Sequence, residues 1–149
     1  MRIRFIQLLL TAVIIPAVLH AQSVPSRTGQ DAARFLGVWR GQFDNLPGVD
    51  MVVTDEGGDL RGAILFYLHK RKDVNSPYTS TPGLPEPMLN LKVMDGVLSF
   101  EVSHRRAHPP GSLNDPPMKF HVKLQAPDQA ELTNESEAAT GLEMKRSDY

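Results

Sequence analysis

From Met118 to Leu124 the chain alternates without exception: Met118, Phe120, Val122 and Leu124 are apolar, and Lys119, His121 and Lys123 between them are basic. A period of two sends the two sets to opposite faces of an extended strand, so this segment buries one face and wets the other. A helix would scatter the same residues around its circumference. Leu98, Phe100 and Val102 alternate with Ser99, Glu101 and Ser103 in the same way. Asp95-Gly96 just before them has the backbone freedom of a two-residue hairpin turn, which makes Leu89 to Val93 the partner strand.

Extended along the chain, this reading gives strands near Gly37 to Phe43, Val49 to Thr54, Leu60 to Leu68, Leu89 to Met94, Val97 to His104, Met118 to Leu124, Ala130 to Asn134 and Gly141 to Arg146. Asp31 to Leu36 forms at most one helical turn before them. Glu56-Gly57-Gly58-Asp59, Asp95-Gly96 and Ala126-Pro127-Asp128-Gln129 are tight turns, and the other connections are read as longer. The fold class is therefore all-β. About eight short antiparallel strands in sequence most simply close into an up-and-down barrel, which leaves no exposed sheet edge; a two-sheet β-sandwich is the alternative. The outward positions include Lys92, Glu101, Lys119, Lys123, Glu131, Glu143 and Lys145, which argues against insertion into an outer membrane, where they would face lipid.

The first 21 residues have a different character. Arg2 and Arg4 precede an apolar run from Phe5 to Leu19, interrupted by Pro16, and Ala21 offers a small residue for cleavage. This is the pattern of an export signal, and the run is too short for a typical spanning helix. The expected organisation is a signal peptide at 1–21, a flexible lead at 22–30, and one β-domain at 31–149. Cleavage near Ala21 would release a secreted or periplasmic protein. It would remove two arginines and leave 14 Lys and Arg against 17 Asp and Glu, a formal charge of −3. Mild acidity gives no basis for nucleic-acid binding. The chain has no cysteine, so burial and hydrogen bonds, not disulfides, must hold the fold.

Gly37-Val38-Trp39, at the entrance to the first strand, resembles the G-x-W opening of lipocalins and related calycin barrels; avidin-like barrels open similarly. The whole segment after the signal is also similar to small exported bacterial β-domains in which a G-x-W-x-G strand leads a meander and an L-x-[LM]-x-R strand closes it. Here those strands are Gly37 to Gly41 and Leu142 to Arg146. The lipocalin resemblance implies that Trp39 sits at the closed end, covered by Arg146 from the last strand. Gly37, Trp39 and Arg146 are accordingly assigned structural roles.

In an eight-strand meander the connections alternate between two ends, so the long stretches 69–88 and 105–117 meet at one mouth. Both begin with cations, His69-Lys70-Arg71-Lys72 and His104-Arg105-Arg106, and both continue with prolines that stiffen them. A basic rim over an apolar barrel suits a small amphipathic or anionic molecule, head at the cations and tail inside. The candidate ligand-binding residues are Lys70, Arg71, Tyr78, His104, Arg105 and Arg106, with Phe66 and Tyr67 also at the entrance. The alternative is a structural or protein-interaction domain filled by its own side chains, Phe43, Phe66, Phe100 and Phe120 among them.

Catalytic chemistry is not expected. The sequence has no cysteine nucleophile, no G-x-S-x-G elbow and no Gly-rich loop leading into a helix. Ser112 and Asp115 belong to Gly111-Ser112-Leu113-Asn114-Asp115, which reads as turn chemistry. His104 and His108 lie four apart, but without a helix that spacing does not bring two imidazoles together, so neither a metal nor a cofactor is expected.

Overall fold

The computed structural model describes residues 27–103 and 116–147. The expected signal and most of the lead lie outside the described residues, as do His104, Arg105, Arg106, His108, Ser112 and Asp115. Element order is α1 (Arg27–Ala33), β1 (Gly37–Phe43), β2 (Leu46–Glu56), β3 (Asp59–Lys70), β4 (Thr79–Pro82), β5 (Glu86–Pro87), β6 (Leu89–Met94), β7 (Val97–Val102), β8 (Met118–Ala126), β9 (Gln129–Asn134) and β10 (Glu137–Ser147).

All the strands join one antiparallel sheet in the order β4-β3-β2-β1-β10-β9-β8-β7-β6, with β5 on β3. From β1 to β4 and from β6 to β10 sequence neighbours pair, and the first strand pairs with the last: Trp39 lies opposite Arg146 and Gly41 opposite Met144. That pairing curls the meander into a half-barrel. Its seam falls between β3 and β6. There β5 pairs with Ala63 and Ile64, and the Met88 amide donates to the Gly62 carbonyl at 2.9 Å before the chain runs on as β6. Gly62 permits this close approach, because a Cβ there would meet Met88 Sδ at 2.6 Å and the Val52 carbonyl oxygen at 2.7 Å.

The alternation works as the sequence dictates. Val49, Met51 and Val53 of β2, Leu98, Phe100 and Val102 of β7, Phe120 and Val122 of β8, and Met144 of β10 point inward into one continuous core. Burying side chains of this kind contributes roughly 2 kcal/mol each before the entropy of ordering them is subtracted. Asp95 and Gly96 take φ of 52° and 75°, the left-handed pair that a tight hairpin demands.

Four local readings change. The helix starts at Arg27 inside the expected lead and ends at Ala33, after which three successive i to i−3 hydrogen bonds, closing at Leu36, unwind it. Asp44 and Asn45 form a two-residue turn at φ 49° and 63°, so the loop end also has a tight connection; Asp and Asn tolerate that region better than most residues. A bulge at Gly48 of β2, opposite the Gly41–Gln42 step, shifts the β1–β2 register, and Phe43 beyond it is 56% exposed, not in the core. The 69–88 connection contains two short strands, β4 and β5.

Candidate functional site

The interior is occupied by side chains. Phe66, half-buried, stands 5.4 Å from Phe120, and Phe120 stacks on Phe100 at 5.6 Å, so three rings from β3, β8 and β7 meet across the barrel. Trp39 is fully buried and Phe35 nearly so. The Trp39 indole N–H donates to the Phe35 carbonyl at 2.9 Å, while the Arg146 guanidinium lies 4.6 Å over the indole ring. Arg146 also donates to the carbonyls of Leu36 at 2.7 Å and Arg34 at 2.5 Å. Its backbone N–H bonds the Asp128 carbonyl in the β8–β9 turn at 2.8 Å. One arginine thus ties the helix exit, the first strand and a turn to the closed end. Gly37 makes the corner with φ of 114°, beneath the Arg146 side chain.

At the other end β3 and β4 form a hairpin that continues past the core. Val49 opposite Phe66 is the last β2–β3 pair. Beyond it, the stem is held to β2 by His69 Nε2 and Ser80 Oγ, both bonded to the Pro47 carbonyl at 2.7 and 2.8 Å, with Phe43 tilted against His69 at 5.8 Å. The tip from Arg71 to Tyr78 carries Lys72, Val74 and Tyr78, all exposed, with Val74 at 72%. Arg71 lies 5.1 Å over the Tyr78 ring and donates to the Val74 carbonyl. Asp73, the hairpin's one carboxylate, is exposed on the tip and hydrogen-bonded within it. Its oxygens accept from Ser76 Oγ at 2.7 Å and from the Asn75 amide at 2.9 Å. The Ser76 hydroxyl first, then the Asn75 amide, hold this carboxyl below its usual range. Among the described residues Lys70, Arg71 and Lys72 form no ion pair.

The structure brings Lys70, Arg71 and Tyr78 onto this one hairpin and leaves Phe66 in the core. Tyr67 is not at an entrance. Alternation puts it on the outer face, where its hydroxyl donates to Asp50 at 2.9 Å, and Asp50 also faces Arg40 at 3.8 Å. The hydrogen bond to Asp50, then partial burial and the negative charge of Asp50, raise the Tyr67 phenol above its ordinary value, with Arg40 opposing. Beside this trio a shallow depression of about 160 Å³ is lined by Val38, Val52, Ala63, Leu65 and Pro85. A wider groove of about 800 Å³ lies between Arg40, Gln42, Gln129, Glu143 and Lys145, with Ala130 and Met144 also lining it.

Comparison with protein-family models, with curated proteins and with solved structures finds no match. Among the described residues no group of His, Asp or Glu converges as a metal site, and no helix is long and apolar enough to cross a membrane.

Sequence reasoning missed Val74 as part of the basic tip. The signal was present in its isolation within Lys70-Arg71-Lys72-Asp73-Val74-Asn75, where a lone aliphatic residue in a polar turn has no strand face to bury it. It also missed the Arg40–Asp50–Tyr67 trio, whose members are far apart in sequence and meet only once β1, β2 and β3 are in register.

Proposed function

We propose that this protein is an exported, calycin-like interaction domain that binds an anionic partner on its outer surface, at the β3–β4 hairpin, and catalyses no reaction. The observation that carries this reading is the contrast between a space filled by Phe66, Phe100 and Phe120 and a hairpin whose Lys70, Arg71 and Lys72 form no ion pair among the described residues. A ligand with its tail inside would have to displace packed rings, each burying on the order of 200 Å². A partner on the hairpin displaces only water. Arg146 over Trp39 supports the calycin-like reading, since it is the arrangement that the resemblance implies.

The test is chromatography of the full chain on immobilised heparin at low ionic strength. Retention is expected despite the near-neutral formal charge of −1, because three cations are concentrated at one tip. Combining Lys70→Gln, Arg71→Gln and Lys72→Gln should move elution to markedly lower salt. Equal elution of the variant and the unaltered protein would overturn the assignment to this hairpin.

A further inference from the structure

We infer that the anionic partner of the hairpin is a lipid surface, and that the tip docks on it with cations at the headgroups and Val74 and Tyr78 at the acyl boundary. This deepens the reading above and rests on it. Large exposed apolar side chains gather around this end of the molecule: Val74 and Tyr78 on the tip, Leu68 on the stem, and Phe43 beside His69. A soluble anion would be recognised by the cations alone and would have no use for an aliphatic residue 72% exposed at the apex. An anionic bilayer uses both. Its surface potential attracts juxtaposed Lys and Arg, and its interface accepts small apolar side chains and a tyrosine with its hydroxyl in the headgroup layer.

The backbone suits the task. The tip is closed by its own hydrogen bonds, from Ser76 and Asn75 to Asp73 and from Arg71 to the Val74 carbonyl, so little ordering remains to be done on contact. Asp73 is exposed on the tip, and its one negative charge set against Lys70, Arg71 and Lys72 leaves the hairpin end net positive. Asp44 in the neighbouring β1–β2 turn is an exposed acidic group that docking must accommodate. The hairpin does not span the membrane. It anchors the domain from outside, with affinity that salt will weaken.

The experiment is co-sedimentation of the full chain with vesicles of phosphatidylcholine alone or phosphatidylcholine mixed with phosphatidylglycerol, run beside the heparin column. Binding to the mixed vesicles and not to phosphatidylcholine alone is expected. Neutralising Lys70, Arg71 and Lys72 should cut partitioning roughly a hundredfold, at about a factor of five per cation. It should also weaken heparin retention. Val74→Ser with Tyr78→Ser should cut vesicle binding about tenfold while leaving heparin elution in place. Both sets lie at exposed positions, and unchanged Trp39 fluorescence would show that each variant folds. Heparin retention without vesicle binding would overturn the lipid proposal and leave the anionic-partner reading standing. Full vesicle binding by the Val74 and Tyr78 variant would also overturn it. Failure to bind either matrix would overturn both.

Discussion

Arg146 shows how much a single residue can organise. Its cation lies over the Trp39 ring and its two terminal nitrogens reach the carbonyls of Leu36 and Arg34. A cation over an indole contributes on the order of 1 kcal/mol, and each charged hydrogen bond a similar amount. Arg146→Ala should therefore destabilise the fold by about 2–3 kcal/mol in urea unfolding followed by Trp39 fluorescence. Arg146→Lys should recover only part of the loss, since an ammonium keeps the charge but not the planar fork. Gly62→Ala tests a different constraint. The added carbon would press on the Val52 carbonyl and Met88 Sδ, and opening the seam to admit it should cost about 2 kcal/mol. At Tyr67 the sign of the pH effect is set by Asp50. The folded phenol titrates above its ordinary 10.0, so its contribution is present below that value and is lost as pH rises through the raised one. Phenolate absorbance should show Asp50→Ala returning the transition downward.

At the scale of elements, the strands that bury a face were legible because burial writes alternation into the sequence. β7 and β8 could be read from Leu98 to Val102 and from Met118 to Leu124, and Asp95-Gly96 marked the turn before β7. β4 and β5 were not legible. Each is short, rich in proline, and extended only because the edge of β3 offers it hydrogen bonds, which is a tertiary cause that no local period records. The inward or outward fate of Phe43 was hidden for the same reason, since it follows a bulge in the partner strand, where Gly48 is skipped between the Gly41–Val49 and Gln42–Pro47 pairs. The basic run from His69 to Lys72 was plain in the sequence. That it sits on a hairpin with its single carboxylate tied up in the turn was not. Where three elements meet through one ring, the cost of truncation should be largest: Phe120→Ala removes the bridge between Phe66 and Phe100 and should destabilise by about 3–4 kcal/mol, measured by the same unfolding curve.

The whole molecule divides its work between two ends. The closed end is locked by α1, Trp39 and Arg146, and the loop end projects a charged hairpin from a filled core. Mild overall acidity conceals this polarity, because three cations are concentrated at one tip while Lys119 and Arg40 on the sheet face Glu135 at 3.6 Å and Asp50 at 3.8 Å. On the proposed reading, binding occurs outside a core that stays closed. The most direct measurement is an NMR titration of the labelled full chain with a short heparin oligosaccharide, reading backbone amides and core methyls together. Shifts confined to residues 70–78, with the methyls of Ile64, Leu98, Val122 and Leu132 unmoved, are the predicted result. Shifts that centre on those core methyls would contradict it.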